Sequence, residues 1–194
     1  MPPSEKQFEF SVIAGSLKGR KIVSPNLGIT RPPLSRLRKS IFDFLMPYIV
    51  DARYLDLYSG TGSYLFEAAS RGAVEAVGIE REPRLADAIN RQAELFGVSD
   101  RLVCHTEDVF DAVPRMHNEG RLFDIIMIAP PQYVGLLDRT LELFRHYPLF
   151  TPETIIICQH DTSELKVLLF DVLPIVQQRK YGHTTFTILR PPLK

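Results

Sequence analysis

The stretch that most constrains this chain is residues 54–73, where a short apolar strand, YLDLY, runs into a Gly-x-Gly turn and then into the helix-like YLFEAASRGA. Glycines at 60 and 62 let a ligand approach the backbone where a Cβ would stand in its way. Glu80 closes the next apolar strand, EAVGIE, 24 residues beyond Asp56. An acidic side chain at the tip of a second parallel strand is placed to accept both ribose hydroxyls of an adenosine-containing ligand. The chain therefore reads first as a nucleoside-cofactor enzyme.

From residue 53 onward strands and helices alternate: YLDLY and a helix to Arg71, AVGIE and PRLADAINRQAELFG, LVCHT, FDIIMIA and GLLDRTLELFRHY, then TIIICQ and TSELKVLL. Buried, β-branched strands in a βαβα rhythm call for a doubly wound, mostly parallel sheet. The ending breaks the rhythm, because VLPIVQQRKYGHTTFTIL reads as two extended runs meeting at Tyr181-Gly182-His183, an antiparallel hairpin. Ahead of the alternation, FEFSVIAGSLKGRKIVS reads as a hairpin turning between Gly15 and Gly19. SRLRKSIFDFLMPYI then has helical spacing, with Leu37, Ile41, Phe44 and Leu45 on one face. The expected organisation is a small extension over residues 1–50 and one cofactor-binding domain over 51–194, which suits a chain of 194 residues.

Net charge is zero, but residues 1–40 carry eight basic against two acidic side chains. A basic appendage on an acidic body fits a polyanionic substrate met by the appendage. Cys104 and Cys158 form no C-x-x-C pair and read as small core residues. His105, His160 and His183 lack metal-ligand or nucleophile-dyad spacing and read as structural, and no zinc or magnesium site is expected. MPPSEKQFEF lacks the charged head and apolar core of a secretory signal, and no apolar run approaches the ~20 residues of a membrane span. The expected setting is cytoplasmic, without membrane contact.

Two cofactor classes drop out. The sixth position of a dinucleotide G-x-G-x-x-G is Leu65 here, and no Gly-Lys-Ser/Thr follows for a phosphate-cradling loop. A second signal lies at the end of FDIIMIA, where Ala129-Pro130-Pro131-Gln132-Tyr133 caps the fourth parallel strand. S-adenosylmethionine enzymes acting on exocyclic amines place an acidic or amide residue followed by Pro-Pro-aromatic there. Prolines fix φ and present carbonyls without competing amide donors, a useful rim for a planar base.

Over nearly its whole length the sequence resembles the RsmD-type methyltransferases, which modify the exocyclic amine of a guanine in bacterial small-subunit ribosomal RNA. The resemblance is carried by VIAGSLKGRKI, RPPLSRLRKSIFDFL, DLYSGTGSYLFEAASRGA, IERE, TEDVF, FDIIMIAPPQY and YGHTTFTIL, in that order. It implies a seven-stranded Rossmann-like fold and S-adenosyl-L-methionine as cofactor. It further implies cofactor contacts from Asp56, Gly60 and Gly62 around the methionine moiety, from Glu80 at the ribose and from Asp108 at the adenine, with Ser59 and Arg81 also in the cofactor site. Ala129, Pro130, Pro131, Gln132 and Tyr133 would form the catalytic rim; an aromatic at 133 either stacks on a flipped-out base or packs on the next helix. Lys18, Arg20, Arg36, Arg38 and Lys39 would bind RNA. The implied partner is small-subunit rRNA or an assembly particle, met by a monomer.

Two departures stand out. The family's Asn or Asp before Pro-Pro is Ala129, and its aromatic position is Gln132, with Tyr133 displaced by one. On the basic helix, Pro33-Leu34-Ser35 replaces two threonines and an aspartate, and Lys39 replaces a glutamate. Alternatives are therefore an amino methyltransferase acting on another RNA or on DNA, and a weakened, RNA-binding assembly protein.

Overall fold

The computed structural model describes residues 7–28, 35–132, 134–164 and 173–192. In chain order the elements are β1 (Gln7–Ser11), β2 (Lys21–Pro25), α1 (Ser35–Leu45), β3 (Arg53–Leu57), α2 (Ser63–Ser70), β4 (Glu75–Glu80), α3 (Pro83–Leu95), β5 (Leu102–Thr106), α4 (Val109–Asn118), β6 (Phe123–Ile128), α5 (Leu136–His146), β7 (Phe150–Asp161), β8 (Ile175–Tyr181) and β9 (Thr184–Leu189). β1 and β2 pair antiparallel as a separate ribbon. The main sheet has seven strands in the order β5-β4-β3-β6-β7-β9-β8. β3 to β7 run parallel, and β9 lies antiparallel to both β7 and β8. This is the mostly parallel sheet with an antiparallel terminal hairpin that the strand rhythm and YGHTTF turn predict.

Apolar side chains bury on both faces of the sheet. One layer joins Leu37, Ile41, Phe42 and Leu45 of α1 to Leu65 and Phe66 of α2 and to Ile89 of α3. The other joins Val109, Val113 and Met116 of α4 to Leu137, Leu141 and Phe144 of α5. Phe42, fully buried, is the core aromatic of α1, while Phe44 is only partly covered at its flank. The face therefore sits slightly rotated from the expected one.

α4 is absent from the sequence-based reading, in which LVCHT leads straight to FDIIMIA. Pro114 lies inside it and removes an amide donor, masking the helix. Tertiary burial of Val109, Ala112, Val113 and Met116, a clean helical stripe, outweighs that loss. The expected helix over TSELKVLL falls largely outside the described residues.

The β1–β2 ribbon is fastened to the body by polar contacts. Gln92 of α3 pairs with the Val23 backbone in both directions at 2.7 Å, and the Ser70 hydroxyl accepts from Leu17 N at 2.9 Å. A Cβ on Gly15 would fall 1.9 Å from the Ser70 carbonyl oxygen, so only glycine brings the turn onto the end of α2.

Candidate active site

β3 and β6 are neighbours where the strand order reverses. The crevice beyond the carboxyl ends of such strands is where open α/β sheets bind ligands. Leu57 pairs with Ile128 across these strands. The Tyr58–Gly62 loop and the Ala129–Gln132 run therefore leave the sheet side by side, although 67 residues separate Gly62 from Ala129 in the chain.

The loop is bent by Tyr58, which holds φ at 81°. Its amide and that of Ser59 both donate to the Ile79 carbonyl, at 3.1 and 3.0 Å. A non-glycine residue in this region costs on the order of 1–3 kcal/mol and clusters at functional sites. The Tyr58 hydroxyl is anchored against Thr140 Oγ1 at 2.6 Å. Gly62 has φ 76°, and a Cβ there would meet the Ile89 side chain at 2.7 Å. Gly78 pairs with Asp56 in the sheet, and a Cβ on it would lie 2.6 Å from Ser59 Oγ and 2.5 Å from Leu65. Gly78 is not among the residues expected at the site, although a glycine inside a strand signals close approach of this kind.

Asp56 is fully buried, and among the described residues neither of its carboxyl oxygens has a hydrogen-bond partner. Burial, followed by the negative charge of Glu80, pushes its pKa up to about 8. The Tyr54 hydroxyl, on the same face of β3, is likewise buried without a partner among the described residues, while Tyr64 Oη donates to Gln159 at 2.5 Å. Burial first and Asp56 second raise both phenols above their ordinary range. Orphaned buried polar groups are costly. An ammonium group arriving from the crevice would supply the missing partner, so this carboxyl fits a cofactor with an amino-acid tail. Tyr54 and Tyr64 were not among the sequence candidates. The period-two placement of Tyr54 and Asp56 was the available signal for the first.

Glu80 is partly buried, and its carboxylate is already employed. One oxygen accepts from Gly60 N at 2.8 Å and the other from Glu82 N at 2.9 Å. It thus pins the glycine loop to the tip of β4, with lone pairs left for a diol. Arg81 beside it is exposed. Asp108 is the N-cap of α4, accepting from Phe110 N at 2.9 Å. Ala129 and Gln132 are half-buried, Pro130 is buried and Pro131 exposed. Tyr133 lies outside the described residues.

The residues expected to bind RNA divide. Lys18 and Arg20 are exposed at the ribbon, and Arg36 and Lys39 on α1, where Lys39 pairs with Asp43 at 2.5 Å. Arg38 corrects the expectation. At 1% exposure it is buried, stacked over Phe10 and 3.7 Å from Glu67, with its Nη2 donating to the Ser11 carbonyl at 2.5 Å. It has no access to a phosphate. Helical phase decides this, since position 38 falls on the inner face with Leu37 and Ile41.

Fold and crevice together define a protein of the S-adenosylmethionine methyltransferase class. The structure superposes on yhhF from Escherichia coli with a TM-score of 0.85 at 22% identity, covering 96% of this chain and 100% of that one. An RNA methyltransferase from Salinibacter ruber, in complex with S-adenosyl-L-homocysteine, gives 0.63 at 18% identity over 84% of this chain and 95% of that one. Residues 10–190 match the model of the family described as Conserved hypothetical protein 95, and the chain belongs to that family, the RsmD-type methyltransferases. Among curated relatives, Ribosomal RNA small subunit methyltransferase D of Escherichia coli (strain K12) is 28% identical over 155 residues, 80% of this chain and 76% of that protein.

Proposed function

We propose that this protein is an S-adenosylmethionine-dependent rRNA methyltransferase, and that its target is the exocyclic amine of a guanine in small-subunit rRNA. The observation that carries the reading is the orphaned Asp56 carboxyl beneath a glycine loop at the β3–β6 switch point, beside the Pro130-Pro131 rim. Family membership and the similarity to small-subunit methyltransferase D support the substrate class. In this reading residues 51–194 form the methyltransferase domain, and residues 1–50 dock rRNA through Lys18, Arg20, Arg36 and Lys39. The protein acts as a cytoplasmic monomer.

Asp56, Ser59, Gly60 and Gly62 would hold the methionine moiety, Glu80 and Arg81 the ribose, and Asp108 the adenine. The bound cofactor supplies a sulfonium methyl to a nucleophile held in line. A guanine amine is a weak nucleophile because its lone pair is delocalised into the ring. The chain's task is therefore to position the nitrogen and accept hydrogen bonds that favour its pyramidal form. The Ala129 side chain offers no acceptor. The Pro130 carbonyl and the Gln132 amide oxygen take that role. Because the attacking nitrogen gains positive charge as the methyl arrives, losing a hydrogen bond from it costs about 1.5–3 kcal/mol, a tenfold to hundredfold rate effect. Gln132→Ala is accordingly expected to slow methyl transfer at least tenfold at saturating cofactor, with Ala129→Asn neutral or faster. Single-turnover transfer of labelled methyl to unmodified small-subunit rRNA measures both.

Glu80→Ala is expected to weaken S-adenosylmethionine binding tenfold or more. It also lowers stability, because the Gly60 and Glu82 amides lose their acceptors, at about 1–3 kcal/mol for such a loss. Titration calorimetry and urea unfolding read the two effects separately. The proposal as a whole is tested by labelled methyl transfer to small-subunit rRNA, naked large-subunit rRNA and DNA. Transfer confined to the first supports it, and transfer to DNA would assign the site to another amino methyltransferase. Cofactor binding without transfer to any of them would favour the assembly-protein reading that Ala129 motivates.

A further inference from the structure

The edge of the main sheet carries a feature that neither the cofactor crevice nor the basic ribbon uses. α1 lies across β8 and β9. Ser40 and Tyr181 join their hydroxyls in a hydrogen bond, and Arg179 of β8 stacks over the Phe44 ring at 5.4 Å. Phe44 meets Tyr48 with ring centroids 6.1 Å apart, and Arg190 stacks over Tyr48 at 5.2 Å. The result is a ladder of cation, ring, ring and cation. Tyr48 is 45% exposed, while Phe44, Arg179 and Arg190 are half-exposed. Among the described residues neither arginine has an acid within salt-bridge reach, and the neighbouring acid, Asp43, is taken by Lys39.

Stacking fixes a guanidinium plane while leaving its N–H edge free for another partner, which suits phosphate oxygens. Interleaved aromatics add faces on which unpaired bases stack. The ladder also points toward the crevice. Asp161 at the end of β7 pairs with Thr184, so the Tyr181-Gly182-His183 turn sits at the same end of the sheet as Ala129. From Thr184 to Arg190 the strand covers about 20 Å at ~3.4 Å per residue.

We infer that the α1–β8–β9 face, through Arg179, Arg190, Phe44 and Tyr48, binds a single-stranded RNA segment that leads into the crevice. This rests on the rRNA reading above and extends its contacts to the C-terminal hairpin. An uncovered edge strand can also pair with another copy of itself. Free cations flanking the aromatic pair favour a polyanion over a neutral strand.

The test uses the full chain, a short unstructured RNA, a duplex of the same sequence, and salt titrations of both. The Arg179→Gln/Arg190→Gln variant is expected to bind the single strand at least tenfold more weakly. Its log–log salt slope should be smaller by about 1.4, since each phosphate contact on a single strand contributes about 0.7. Tyr48→Ala is expected to lose about tenfold with an unchanged slope. Lys180→Gln removes a charge from the opposite face of β8 and is expected to change neither. Arg179→Lys/Arg190→Lys keeps the charge and retains the slope while losing the stacking, which separates charge from misfolding. Cofactor affinity should be wild type throughout.

Unchanged affinity and slope in the double glutamine variant would overturn the inference, as would a fall equal to that of Lys180→Gln, or a dimer that dissociates on the same substitutions. Failure of the rRNA reading looks different. There the wild-type protein binds the single strand with the expected slope yet transfers methyl to no rRNA.

Discussion

Glu67→Ala is expected to remove about 3–5 kcal/mol of folding stability, the usual consequence of breaking a buried ion pair by deleting one partner. The side chain is fully buried in α2. Its carboxylate accepts from Ile13 N at 2.9 Å, Ala14 N at 3.1 Å and Arg71 Nε at 2.7 Å, and faces Arg38 across 3.7 Å. Arg38 depends on that charge. Burial lowers its pKa and Glu67 opposes the shift, while Arg71 adds repulsion. Its Nε and Nη1 make no hydrogen bond among the described residues. Without Glu67 a guanidinium stays buried with no acid beside it, and two ribbon amides lose their acceptor.

A typical domain has only about 5–15 kcal/mol to lose. Urea unfolding should therefore show a much lower midpoint, and hydrogen exchange at residues 12–17 should rise above that of α3. Arg38→Met in the same background should restore part of the loss by removing the stranded charge. A loss below about 1 kcal/mol, or no rescue, would show that the ribbon is held by its other contacts.

Cofactor affinity is expected to climb by up to tenfold per pH unit between about pH 6 and 7.5, and to lose that slope in Asp56→Asn. The free protein holds a proton on Asp56, whose carboxyl is pushed up to about 8. A ligand ammonium favours the ionised form, so near neutral pH binding releases roughly one proton, and affinity falls as that proton becomes harder to remove. The rise ends near pH 8, where the ligand's own α-amino group, at about 7.7–8.0, begins to discharge. Calorimetry at pH 7 in two buffers of different ionisation enthalpy counts the proton directly. Binding with no proton release would detach Asp56 from the ligand's amine.

Stability carries the opposite sign. The folded pKa lies above the unfolded value of 3.8, so between about pH 4 and 8 the folded state binds more protons and stability falls as pH rises. Asp56→Asn lacks that loss. Its stability relative to the parent should grow across the same window, as urea unfolding at several pH values would show.

What could be read from the sequence is what local chemistry enforces. Alternating apolar strands and helix stripes made the doubly wound order legible. The strand before Gly60 and the acid ending the next strand placed the crevice, because a turn, a glycine and a strand tip are each local events. Arg38 shows where that reading ends. Its neighbours Arg36 and Lys39 share its chemistry and point outward, and helical phase against β1 and α2, about 100° per residue, decides which cation is buried and needs Glu67. Asp56 likewise announced itself by position. Its unpartnered state arises only once Tyr54, Tyr64 and the sheet close around it and exclude water. The ladder from Arg190 to Arg179 lies furthest from the sequence's reach. Phe44 and Tyr48 stand more than 130 residues from the arginines that cover them, and only the antiparallel return of β9 beside β7 brings the two ends of the chain to one edge of the sheet.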